Sequence, residues 1–167
     1  MHFEFLDSFS MWLKSTALSG LILHYSWIWP TCETLHFVGL ALLVGTVGLA
    51  DLRMLGMAKG LRFSGLHRLI RWGIAGFIIN VITGAAFFIG APFQYVHNTV
   101  FHFKIVFIFL AGINALIFEF KVLPHMKDLG PGEDATFAAK VIAATSLFLW
   151  VGVMFFGRML PFIGEAF

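Results

Sequence analysis

The chain reads as an all-α membrane protein, a four-transmembrane-helix bundle with an N-terminal interfacial amphipathic helix. Composition is the first observation behind this. Of 167 residues, 59% are hydrophobic and only 12% charged, where a soluble domain carries about 25% charged residues. The mean hydropathy is +0.89. The second observation is four apolar runs, each longer than the ~20 residues a spanning helix needs. The third is the placement of Gly, Pro and capping residues between the runs.

The segment from Phe3 to Leu23 mixes Phe3, Phe5, Leu6, Phe9, Trp12 and Leu13 with Glu4, Asp7, Ser8, Ser10 and Lys14. That pattern predicts one helix lying along the membrane surface rather than a fifth span. Glu4 and Asp7 also stand where a cleavable signal would carry basic residues. Tyr25, Trp27 and Trp29 follow as an interfacial aromatic belt. The first span is predicted from Pro30 to Leu55, with Pro30 at the first helical position, where its missing N–H costs nothing. The second runs from Leu66 to Ala91, the third from Thr99 to Leu123 and the fourth from Ala135 to Leu160, with Ser64, Asn98 and Asp134 as N-caps. Pro92, Pro124 and Pro161 lie where proline stops a helix. Residues 128–134 form a polar turn, no internal repeat is evident, and the whole chain, 1–167, is one membrane domain.

Basic residues orient the bundle. Arg53, Lys59, Arg62, Arg68, Arg71, Lys121, Lys127 and Lys140 gather at one end; Lys14, Lys104 and Arg158 lie at the other. The richer end is expected in the cytoplasm, and both termini on the periplasmic side of a bacterial inner membrane. The net charge of +2 gives no reason to expect nucleic acid as a partner. A single cysteine, Cys32, excludes an internal disulfide and a cysteine-built metal cluster.

His36 is the residue most in need of a reason. It lies about two turns inside the first span, and ionisable groups at such depths cost about 2.5–3.5 kcal/mol when charged. Imidazole is also a common haem-iron ligand. His102 lies at similar depth on the third span, and His97 just before it. Facing helices of a bundle hold cofactors in this way. Haem b with His36 as one ligand, and Lys104 and Arg158 against its propionates, is the expected arrangement. His102 and Lys104, two residues apart, stand about 200° apart round the helix and cannot both face one site. Lys104 is read as inward, and His102 and His97 compete for the second axial position. Glu33 belongs to the same layer, as a cofactor-side group, a salt-bridge partner of Lys104, or a side chain snorkelling to the headgroups.

Plainer readings cover the rest. His2, His24, His67 and His125 are interfacial; Asn80, Thr83, Asn114, Thr145 and Ser146 make interhelical hydrogen bonds; Met54, Met57 and Met154 pack. Gly39, Gly45 and Gly48 allow close helix approach. Asp51 and Arg53 with Arg68 and Arg71 form a helix-end ion network.

The run Trp29-Pro30, Glu33-Thr34-Leu35-His36, Gly39, Gly45, Asp51-Leu52-Arg53 and Leu55-Gly56 resembles an uncharacterised family of small bacterial four-helix inner-membrane proteins. Thr83-Gly84, Asn98, Phe101, Lys104, residues 111–115 and Gly157-Arg158 resemble that family's later signatures. More distantly, the helix-one histidine followed by glycines, with a lysine early in the third span, is similar to CopD-like membrane domains and to HemJ-type protoporphyrinogen oxidases. Those resemblances imply haem b at His36 and a functional role for Lys104. The N-terminal interfacial helix and the Asp51-Leu52-Arg53 ending depart from the HemJ pattern, and His102 lies outside the matching residues. The functional expectation is electron transfer between the quinone pool and an outer-face partner. The alternatives are a non-enzymatic subunit for transport, metal handling or assembly, within a homo-oligomer or larger complex, and HemJ-like porphyrinogen oxidation.

Overall fold

The computed structural model describes residues 2–126 and 128–163, apart from the side chains of His2 and Phe3. Lys127, one of the basic residues used for orientation, lies outside them, as does the side chain of His2. The described residues form helices α1 (His2–Lys14), α2 (Ala17–His24), α3 (Ile28–Met54), α4 (Phe63–Gly90), α5 (Pro92–Val96), α6 (Thr99–Ile117), a π-helical turn Phe118–Val122, α7 (Leu123–Met126) and α8 (Phe137–Met159), with no strand among them. Among the described residues four stretches are long and apolar enough to cross a membrane: α3, α4, Thr99–Met126 and α8. The chain is a multi-pass, all-α membrane protein.

The N-terminal segment is two helices, not the one expected over 3–23. Side-chain bonds break it at Ser15 and Thr16. Ser15 Oγ donates to the Trp12 carbonyl at 2.7 Å and Thr16 Oγ1 to that of Leu13 at 2.6 Å, while Thr16 caps α2 through the Ser19 N–H. Such local bonds compete with helix continuation. The two helices pack over one end of the bundle, α1 against α5 and α2 against α4, and Asp7 on α1 meets His97 at 2.8 Å.

α3 starts two residues earlier than expected, so Pro30 falls at its third position, still in the turn where N–H groups lack helical partners. α3 ends on Gly56 at φ +91, with Gly56 N–H bonding the Arg53 carbonyl and Met57 N–H that of Leu52. This is a Schellman closure, which favours glycine. Ser64 does not cap α4. The helix begins at Phe63, whose N–H reaches the Leu129 carbonyl instead. Asn98 caps α6 as expected, accepting from Val100 and Phe101, and its amide donates to the Leu160 and Ile163 carbonyls beyond α8. Thr136, not Asp134, caps α8. Asp134 pairs with Lys59 at 3.0 Å and Lys140 at 3.3 Å, hydrogen bonds that hold its carboxyl below the usual range. Pro124 does not stop the third span, which continues to Met126. Proline lacks an N–H and crowds the preceding carbonyl. The π turn immediately before it widens the helix, and Leu123 N–H bonds the Phe118 carbonyl.

α3 packs against both α4 and α8, and α6 against α8. The α3–α4 contact is backbone on backbone. A Cβ on Gly39 would lie 2.8 Å from the Gly76 carbonyl oxygen, and one on Gly76 would collide with that of Gly39. Gly45 has nothing within 4 Å and Gly48 only Leu147, so of the three glycines expected to admit a neighbour closely, Gly39 alone does. Asn114 makes the expected interhelical bond, donating to the Ile142 carbonyl on α8. A hydrophobic cluster including Met54, Phe63, Leu123, Met126 and Ala139 closes the end of the bundle that carries Arg53, Arg62, Arg68 and Arg71, the arginine end. Here the opposite end is termed the histidine end.

Candidate functional site

At the histidine end, α3 and α4 run antiparallel and their contact brings His36 and Thr83 to the same level. His36 Nδ1 lies 2.7 Å from Thr83 Oγ1. The Thr83 hydroxyl is also 2.7 Å from the Ile79 carbonyl. It has one proton, and two oxygens so close need that proton between them. The hydroxyl therefore donates to Ile79 and accepts from His36 Nδ1–H. This fixes the tautomer and leaves the lone pair on Nε2, the configuration a metal-ligating histidine needs. The half-buried ring packs at 5.7 Å from Phe87, and Gly84 keeps the helix surface beneath it clear, a Cβ there lying 3.9 Å from His36 Cε1.

Lys104, on α6, is turned inward. Its Nζ lies over Gly157 of α8, and its charge reaches His36. A Cβ at position 157 would sit 3.5 Å from Nζ. Arg158, next in sequence, is exposed and stacks its guanidinium over Phe162 at 5.0 Å. Glu33, one turn before His36, accepts from the Trp29 indole at 3.2 Å. Tyr95 on α5 stands against Phe88 and Phe101. Burial, then the Glu33 charge, raise its phenol above the ordinary value of 10.0.

The structure thus joins His36 and Lys104 into one layer with Thr83, Glu33 and Tyr95. It does not join the other histidines to them. His102 is exposed on the far side of α6 from Lys104, beside Phe101. His97 is exposed and bonded to Asp7. Among the described residues no three His, Cys, Asp or Glu side chains converge as a metal-binding group. Sequence reasoning does not single out Thr83 or Tyr95 as site residues. Thr83 carries a depth signal: His36 stands eight residues in from Ile28 and Thr83 seven back from Gly90. Tyr95 carries none, because a residue between spans shares no register with them.

At the arginine end the expected ion network is absent from Arg53. This residue is fully buried and donates to three backbone carbonyls, those of Leu61, Glu133 and Gly130, at 2.7, 3.1 and 2.7 Å. Compared with protein-family models, curated proteins and solved structures, the chain matches none.

Proposed function

We propose that the protein binds haem b in a bacterial inner membrane and passes electrons between the quinone pool and a partner at the histidine face, which the basic-residue asymmetry puts on the periplasmic side. One observation carries the reading: the Thr83 bond that holds the His36 proton on Nδ1 and leaves Nε2 as the donor atom. His36 would hold the iron, and Lys104 with its neighbour Arg158 would supply cations for the propionates. Of the histidines, His36 alone would hold the iron from this layer; His102 and His97 lie away from it. Haem b bound there would supply a one-electron iron couple. The chain's own part is to orient the imidazole through Thr83, to exclude water with Phe87 and to set local charge with Lys104 and Glu33.

A purified sample from haem-replete cells should show a Soret band and a reduced-minus-oxidised difference spectrum. His36→Ala should abolish both, and Thr83→Val should weaken haem affinity by about 10–100-fold. A wild-type sample with no Soret band overturns the proposal.

The second reading is a non-enzymatic subunit of a larger membrane assembly. It is favoured by how little of each span the chain itself covers: 22%, 22%, 17% and 28% of the most apolar windows are buried. On that reading His36→Ala leaves the absorption spectrum unchanged and alters only stability or assembly.

A further inference from the structure

α4 and α6 meet at the histidine end, where Phe88 stacks on Phe101 at 5.8 Å. Toward the arginine end they part around a cavity of about 350 Å³ that α3 and α8 complete. Its walls are almost wholly apolar and include Phe77 and Trp150, whose rings meet edge to face at 6.5 Å. Lining residues Ile74 and Leu116 are 55% and 58% exposed, so the cavity opens sideways onto the surface that faces lipid. Two acidic residues line it, Glu119, which is exposed, and Asp51, which is buried. Asp51 is 3% exposed, Ser146 lies against its carboxyl, and its Oδ2 is buried with no hydrogen-bond partner. Gly112 leaves further open space on the α6 side, with nothing within 4 Å of a Cβ placed there.

An acyl chain would fill this volume and offer the Asp51 carboxyl no partner, at the cost of a desolvated polar group. A ligand that satisfies the carboxyl must be lipid-soluble, must enter from the side and must present a polar group at its buried end. We propose that the cavity binds a quinone or quinol, ring inward against Asp51 and tail outward between α4 and α6. A ring hydroxyl donates to the carboxylate, and a ring carbonyl accepts from the protonated acid, so both ligand forms pair with the Asp51 carboxyl. A long-chain amine pairs with only one form of Asp51. The aromatic walls suit a flat ring. The cavity is separate from His36, and the inference does not depend on haem.

The test uses the full chain in detergent, in wild-type and His36→Ala forms. 2-Decyl-1,4-benzoquinone is titrated while quenching of Trp150 is followed against a Trp150→Phe control, with decylbenzene and decylamine as competitors. Saturable quenching is expected in both forms, with decylbenzene displacing the quinone only at roughly tenfold or higher concentration. Asp51→Ala should erase that preference, and Gly112→Leu, which fills the cavity without touching Asp51, should abolish saturable quenching while helical content is unchanged. Equal competition by decylbenzene makes the cavity an acyl-chain groove and overturns the proposal. Stronger competition by decylamine overturns it, as does quinone binding that both variants leave intact. A wild-type oligomer that Gly112→Leu dissociates would put a second copy in the cleft and overturn it equally. His36→Ala lacking haem yet binding quinone would sustain this site whatever becomes of the haem reading.

Discussion

A single hydroxyl decides what His36 can offer. With Thr83 bonded back to Ile79, the imidazole proton sits on Nδ1 and the other ring nitrogen carries the lone pair. Tyr95 reports on the His36 layer without haem. Its phenol loses a proton less readily than a free one, first because it is buried and then because Glu33 is negative. A raised acid is neutral in both folded and unfolded chains below pH 10.0, so it has no effect there; above 10.0 the unfolded chain ionises first and stability falls as pH rises. The chain has two tyrosines, so a Tyr25→Phe background isolates the signal. Ultraviolet titration should then show a tyrosinate midpoint above pH 10.0, and Glu33→Gln should bring that midpoint partway down, since burial is the larger cause. A midpoint at or below 10.0 in the Tyr25→Phe protein would remove Tyr95 from a buried position beside Glu33.

Between helices, the α3–α4 contact rests on close backbone approach at Gly39 and Gly76 as well as on the His36–Thr83 bond, and the first is testable by one methyl group. Gly76→Ala forces a Cβ onto the Gly39 carbonyl and should cost about 1–3 kcal/mol as overpacking. Gly45→Ala adds the same atom where nothing lies within 4 Å, and relief of glycine's backbone entropy should make it neutral or stabilising by about 0.5–1 kcal/mol. Thermal melts in detergent compare them, and equal effects would refute the close approach. Which of several glycines meets a neighbour is a tertiary fact; Gly39, Gly45 and Gly48 look alike in sequence. The four spans were legible because apolar length is a one-dimensional property, and Asn98 was legible because a cap acts within three residues of itself. Ser64 and Asp134 failed as caps because a loop carbonyl and two lysines, respectively, supply what local sequence does not show. Pro124 failed as a stop because the π turn admits it. In the site, helical period separates Lys104 from His102, and the structure sets them on opposite sides of α6. Thr83's role needed the α3–α4 register, and the Asp51 cavity needed the gap between α4 and α6, neither of which a single helix encodes.

At the scale of the whole molecule, two closed ends bracket an open side. The histidine end is closed by α1 and α2, by the Asp7–His97 contact and by Asn98 tying α6 to the residues after α8. The arginine end is closed by the hydrophobic cluster around Phe63 and by Arg53. Arg53 reaches from the end of α3 into the loop before α4, at Leu61, and into the turn before α8, at Gly130 and Glu133. It thereby joins two connections that lie far apart in sequence, at the end nearest the α4–α6 opening. The charged guanidinium is fully removed from solvent, so its three charge-assisted bonds must offset its desolvation, and removing it strands three carbonyls. Arg53→Met, which keeps much of the side chain's bulk, should therefore destabilise the protein by about 2–4 kcal/mol. Arg68→Met, an equal loss of charge at an exposed position on α4, should stay within about 0.5 kcal/mol. Thermal melts in one detergent at low and high salt separate the causes. Backbone bonds inside the fold make the Arg53 effect nearly independent of salt, whereas a surface ion network would weaken as salt rises. Equal, salt-sensitive losses in the two variants would restore the charge-network reading of this end and remove Arg53 as the link between its loops.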